Sequence, residues 1–350
     1  MMETASRKPA DWLSRAESQL LIGLALASLA FMAGLAVGPA LPGHFWPSLG
    51  FATGPATHLR LVRVAAAGLV GASLAIAGVL LQGLLRNPLA DPYILGISSG
   101  ATAGVMVWIL LGNMLATVAL AHPWLGALFV YGQAVPALIG ALFTCGAVFF
   151  LGRRGGILDP VTLLLAGVVL GSVNTALIML LNNMAPYGAR ADILNYIFGY
   201  ISAVTPQFLL WLEAGLLLAC WLAAMAISGA MNIASLSDIE ATSLGVRLSR
   251  LRLGSFLISA ALAAGAIVLA GPVGFVGLIC PHICRSWFGP DHRRLLISSP
   301  LLGAAFLMLA DSFVRCTGNW FNGELPVGVV TALCGGPFFL FLLQRRRPWQ

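Results

Sequence analysis

The sequence predicts an all-α fold: a polytopic transmembrane helical bundle of about ten spans, with both termini in the cytoplasm and a single transmembrane domain over residues 1–350. Three observations carry this expectation. Of 350 residues, 59% are hydrophobic and only 9% charged, against roughly 25% charged residues in a soluble domain. Apolar runs close to the roughly 20 residues that cross a bilayer recur along the chain. The basic residues gather in short clusters between those runs, the pattern that orients membrane proteins. Lipid is therefore the solvent for most of this surface.

The elements follow in order. Residues 1–17 form an N-terminal segment that carries Arg7, Lys8 and Arg15, and an apolar run at 18–38 follows. That run of about 20 residues exceeds the roughly 7–15 of a secretory signal, so it reads as a retained helix. An external polar stretch at 39–63 leads to spans at 64–84, 93–112, 127–151 and 161–182. Tyr187 to Thr205 reads as a short external helix, with Asp192 near its start and Gly199 interrupting it. Broken backbone of this kind is tolerated in a membrane where protein shields it or where it lines a watery cavity. A span at 207–228, an internal polar stretch at 232–252, and spans at 253–270, 295–314 and 325–343 complete the series. A shorter span at 272–288 is required to keep the charges consistent. No low-complexity linker and no soluble domain interrupts these runs.

Alternating sides from a cytoplasmic N-terminus tests the count. Arg7, Lys8, Arg15, Arg86, Arg153, Arg154, Arg247, Arg250, Arg252, Arg285, Arg293, Arg294 and Arg345 to Arg347 fall inside, and only Arg60, Arg63, Arg190 and Arg315 fall outside. The asymmetry obeys the positive-inside rule, and deleting any one span inverts everything after it. A net charge of +7 placed in this way orients a membrane protein and is not a nucleic-acid face.

Several chemistries are disfavoured. A nucleotide-hydrolysing loop of the form G-x-x-x-x-G-K-[ST] needs a lysine at the phosphates, and Lys8 is the only lysine. Any ATP-driven step must use another polypeptide. His44, His58, His122, His282 and His292 have no metal-ligand spacing, and Cys280 and Cys284 lack a second pair, so the six cysteines read as small packing residues. These scattered ligands also argue against a membrane-embedded enzyme or haem protein. Glu213 and Asp311 are the embedded carboxylates. Their scarcity disfavours an ion-coupled secondary transporter, which remains the alternative. Glu324, just before Pro326, suits a helix N-terminus. Gly100/Gly104 and Gly167/Gly171 let helices approach closely, within one bundle or at a dimer seam.

The stretch Met231 to Val246 is too polar to span and too patterned to be a bare loop. Ser237 can cap a short helix with Asp238 and Glu240 in its first turn, and Gly245 can end it. Such a helix either lies on lipid headgroups or docks against a cytoplasmic partner. Its acidic first turn favours the partner.

The run Gln82-Gly-Leu-Leu-Arg-Asn-Pro-Leu-Ala-Asp-Pro-Tyr-Ile-Leu-Gly-Ile-Ser-Ser-Gly100 resembles the signature of permeases of iron-siderophore, haem and cobalamin ABC importers. Matches continue in order at Leu163 to Gly167, Met231-Asn232, Ser243 to Gly245, Gly271 to His282, Asp291 to Arg294 and Glu324 to Leu333, so the resemblance covers about residues 55–345. It implies a homodimer of ten-helix subunits in the inner membrane that carries a metal chelate along the dimer axis. It further implies two cytoplasmic subunits that hold ATP and Mg, an external binding protein, and no cofactor on this chain. By this resemblance, Ser237, Asp238, Glu240, Ala241, Leu244, Gly245 and Val246 look like the region that couples to the ATPase. Arg60 and Arg63, with Arg315 less closely matched, look like the docking cations for the binding protein. Asn87, Pro88 and Leu89, with Asp159, Pro160, Val161 and Thr162, look like inner closures of the path. The segment Cys316 to Gly323 is about two residues longer than the family pattern.

Overall fold

In the computed structural model, residues 9–40, 47–50, 54–115, 132–154, 157–185, 196–317 and 325–344 are described. They form eleven α-helices and two short hairpins. These are α1 (Pro9–Ala36), β1 (Val37–Ala40), β2 (Pro47–Leu49), α2 (Pro55–Leu85), a 3-10 turn (Pro92–Leu95), α3 (Ile97–Met114), α4 (Ala134–Leu151), β3 (Arg153–Arg154), β4 (Ile157–Leu158), α5 (Pro160–Met184), α6 (Gln207–Ala234), α7 (Asp238–Ser243), α8 (Leu248–Ala270), α9 (Val276–Phe288), α10 (His292–Thr317) and α11 (Val327–Gln344). Both hairpins are antiparallel.

Seven of these helices are long and apolar enough to cross a membrane, while α3 and α11 are apolar but shorter. The α9 helix has 13 residues, about 20 Å at 1.5 Å per residue, well short of a bilayer core. The shortening of two expected runs has a local cause. The run expected at 93–112 is broken by Gly96 in the left-handed region, and in the run at 272–288 helix begins only after Phe275, φ 71°. Elsewhere helices outrun their expected bounds. The α2 helix begins at Pro55, so Arg60 and Arg63 are helical residues and not part of an external loop. The α6 helix continues to Ala234 and α8 starts at Leu248, which leaves a shorter polar connection than 232–252. Of the external helix expected at Tyr187 to Thr205, residues 187–195 lie outside the described set. Helix ends there at Ile197, and Gly199, φ 80°, leads into irregular chain. Arg190, Asp192, His44, His122, Glu324, both charged termini and the segment 318–324 also lie outside the described residues.

The centre of the bundle is α2, of which 83% of the most apolar window is buried, whereas α6 buries 11%. Close backbone contact explains part of this. A Cβ at Gly71 would collide with the carbonyl of Gly303 on α10, and one at Gly303 with that of Gly71. Gly100 and Gly104 bring α3 against α4 at Gly140, Thr144 and Pro136, which is packing within one bundle. The lightly buried faces of α1, α5 and α6 present large apolar side chains, among them Val169, Trp211 and Leu222, to the surroundings. A surface of that kind needs lipid or another apolar partner.

Candidate functional site

Irregular backbone gathers at the middle of the bundle because Asp91 holds it there. Its Oδ1 accepts from the Tyr93 amide at 2.9 Å, capping the 3-10 turn, and its Oδ2 accepts from the Phe275 amide at 3.0 Å. One buried carboxylate thus fixes both helix breaks. Beside them is a cavity of about 680 Å³ whose lining includes Asn87, Leu89, Tyr93, Leu164, Phe275 and Phe339. Asp91 is the single charged residue among those that line it, and both of its oxygens are engaged. Volumes of this order suit a bulky ligand held by shape and not by charge.

The embedded carboxylates lie elsewhere. Glu213, 3% exposed, accepts from the Ser73 hydroxyl at 2.6 Å, joining α6 to α2. Asp311 is fully buried and lies between two arginines: Arg63 Nε at 2.8 Å from its Oδ1, and Arg315 Nε at 3.1 Å from its Oδ2. Arg315 also donates to the Val37 carbonyl at 2.6 Å, and the Arg63 guanidinium lies over the Tyr200 ring. Arg60 donates to the carbonyls of Leu35 at 3.0 Å and Gly50 at 2.8 Å. The three cations expected to meet an external partner therefore tie the β1–β2 hairpin to α2 and α10. Arg63 and Arg315 are buried and present no charge to a partner in this structure, whereas Arg60 is half-exposed. The burial of Arg63 was not foreseen because its carboxylate lies 248 positions away, whereas Asp311 stands one turn before Arg315 and that spacing was an available signal.

The opposite end of α2 carries the polar helix. The α7 helix spans Asp238–Ser243, with Ser237 as N-cap: its hydroxyl accepts from the Glu240 amide at 3.1 Å and donates to the Glu240 carboxylate at 2.8 Å. At the far end Gly245 is left-handed, φ 83°, and the Val246 amide returns to the Ala241 carbonyl. Ala241 and Val246 face inward, while Ile239 is 82% and Leu244 63% exposed. Two apolar side chains thus stand on the outer face of a well-anchored polar helix.

Two residues that sequence reasoning counted only as inside charges hold α7 in place. Arg86 donates to the Ala234 carbonyl at 2.7 Å and to Asp238 Oδ1. Arg252 donates to both oxygens of Asp238, at 3.0 and 2.8 Å, and to the Leu158 carbonyl at 3.2 Å. Arg86 is the C-cap of α2 in the left-handed region, φ 46°, a conformation that costs a non-glycine residue on the order of 1 kcal/mol. Its position inside the Gln82 to Gly100 motif was the available signal.

The expected closures divide. Asn87 accepts from the Leu89 amide at 3.0 Å in a tight turn at Pro88, and Asn87 and Leu89 reach the cavity. Asp159 caps α5, accepting from the Thr162 amide at 2.8 Å and hydroxyl at 2.6 Å. The cavity lining begins further along α5, at Leu164, and includes none of Asp159, Pro160, Val161 or Thr162.

Comparison with known proteins places these features. The model of the FecCD transport family matches residues 20–345. The chain is 37% identical over 309 residues to the Fe(3+) dicitrate transport system permease protein FecC of Escherichia coli K12, covering 87% of each. It is 36% identical over 304 residues to the hemin transport system permease protein HmuU of Yersinia pestis, covering 83% of each. The cobalamin import system permease protein BtuC of Halobacterium salinarum is 36% identical over 294 residues, 82% of this chain and 73% of that one. Among solved structures, a metal-chelate type ABC transporter in an inward-facing conformation superposes with a TM-score of 0.77 at 28% identity, over 94% of this chain and 99% of that one. The ordered motifs, the helical membrane fold and the family match from one end of the bundle to the other agree: the chain belongs to the FecCD transport family and is a membrane permease of an ABC importer.

Proposed function

We propose that this permease carries a metal chelate, an iron-siderophore, haem or cobalamin, across the inner membrane as a homodimer with both termini cytoplasmic. The shorter helices α3, α9 and α11 then bring the seven long ones to ten passages. ATP and Mg are held by two cytoplasmic partner subunits, and an external binding protein delivers the cargo. The observation that carries this reading is α7, a capped helix whose exposed Ile239 and Leu244 suit an apolar cleft on a partner. The clustering of basic residues supports an inner position for that end of the bundle. Cargo from the opposite end meets a cavity with one engaged carboxylate, which suits release more than tight binding.

The test is uptake into proteoliposomes that hold the permease with its ATPase subunits and binding protein. Each of the three chelate classes is supplied in turn. ATP-dependent accumulation of one of them is expected. Disrupting the Leu244-Gly245-Val246 turn should abolish binding-protein stimulation of hydrolysis and uptake together. Transport under an ion gradient without ATPase subunits would establish a secondary transporter instead.

A further inference from the structure

We propose that Arg86, Asp238 and Arg252 form a latch that delivers movement of α7 to both inner turns at once. Arg86 and Arg252 are positioning residues for the transport step. The inference rests on the reading of α7 as the partner-docking helix and adds how its displacement reaches the path.

The geometry places Asp238 at a junction. Arg86 joins it to the end of α2, and the next three residues, Asn87, Pro88 and Leu89, form the turn that reaches the cavity. Arg252 joins it to the start of α8 and, through the Leu158 carbonyl, to the residue before the Asp159 cap of α5. Leu164 and Val168, one to two turns along α5, line the same cavity. A rigid displacement of α7 thus pulls on two elements that converge on one space.

The backbone at Arg86 supports the same assignment independently. A helix that ends in the left-handed conformation ordinarily uses glycine, and Arg86 holds this conformation with φ 46°. Strain of this kind is retained where a side chain is required. What the side chain does here is bridge the Ala234 carbonyl, at the end of α6, to the first residue of α7. The ion pairs are partly exposed, with side chains 14% to 46% accessible, so their contribution to folding is small. A weak contributor to stability that joins α2, α7 and α8 is suited to transmission.

The experiment uses the assembled complex in proteoliposomes and measures uptake per ATP hydrolysed. Arg86→Gly fits the left-handed backbone better than arginine does, so it removes the guanidinium without straining the fold. Arg252→Gln removes the second arm. Each is expected to leave hydrolysis near the parental rate and to lower uptake per ATP by about fivefold or more. Asp238→Asn combined with Arg252→Gln should be no worse than Asp238→Asn alone, since partners in one network are non-additive. Nucleotide-dependent modification of Leu89→Cys by a water-soluble thiol reagent, followed at that peptide by mass spectrometry, should disappear in the Arg86→Gly background. A merely structural latch would leave that response in place. Parental uptake per ATP in both single variants overturns the latch, as does a parallel loss of hydrolysis and uptake, which would put the arginines in docking. If instead disrupting Leu244-Gly245-Val246 changes neither quantity, the docking role of α7 is what fails.

Discussion

Each end of α2 carries one aspartate between two arginines, and the two clusters differ in almost everything else. At the hairpin end Asp311 is fully buried between Arg63 and Arg315, which are 5% and 3% exposed. At the α7 end Asp238 is nearly half exposed between Arg86 and Arg252. Burial changes what the same three charges do. The buried cluster holds its charges out of water, and its geometry is supported by the Val37 carbonyl of the β1–β2 hairpin. The exposed cluster is hydrated and can break and reform at little cost. The first suits a clamp, the second a joint.

The comparison breaks most readily at Asp311. Replacing it with asparagine leaves two buried guanidinium groups facing each other, and removing one partner of a buried pair costs about 3–5 kcal/mol. A large fall in the thermal midpoint of detergent-solubilised protein, or failure to accumulate in the membrane, is expected. Arg315→Leu should cost less, about 1–3 kcal/mol, because the remaining Arg63–Asp311 pair is neutral. An Arg315 variant less stable than the Asp311 variant would show that the cluster is held chiefly by Arg315 and not by the carboxylate between the two cations.

What could be read in advance follows the range of the interaction responsible. The α7 helix was legible because its signals are local: Ser237 caps it, Asp238 and Glu240 fill its first turn, and Gly245 ends it within nine positions. The cluster at Asp311 was not, because Arg63 and its carboxylate are 248 positions apart. The extension of α6 to Ala234 was missed for a similar reason. Asn232 looks like loop until its amide is found donating to Asp291 and its oxygen accepting from the His292 amide. The breaks at Arg86 and Phe275 use non-glycine residues in a glycine conformation. Contacts made in the folded chain support them, Arg86 with Asp238 and the Ala234 carbonyl and Phe275 with Asp91. Apolar run lengths gave the membrane class and most helix positions and marked 272–288 as a shorter span, but not the break at Phe275 that cuts its helix to 13 residues.

The hairpin end still offers one half-exposed cation. Arg60→Glu should weaken binding-protein docking about fivefold at low salt, with the effect fading as salt rises, because exposed charges are screened over about 10 Å at 0.1 M. Reversing Arg63 as well would break the buried clamp and confuse docking with folding, so the single variant is the informative one. Titration of the binding protein against the permease in nanodiscs at two ionic strengths measures it. Equal affinity of parent and variant at low salt would remove Arg60 from the docking surface.

The smallest effect is the most diagnostic for the joint. Arg252→Gln deletes an ion pair whose carboxylate is hydrated and still faces Arg86, so unfolding should change by about 0–1 kcal/mol. The Leu158 carbonyl also loses a donor, but the bond lost is a long one at 3.2 Å. Thermal midpoints of parent and variant should therefore nearly coincide, and added salt should narrow the gap. If Arg252→Gln proved as costly as the Asp311 variant, the α7 end would be a second clamp. Movement could then pass through it only as rigid-body rotation of the whole α2–α8 pair, with α7 carried along and not leading.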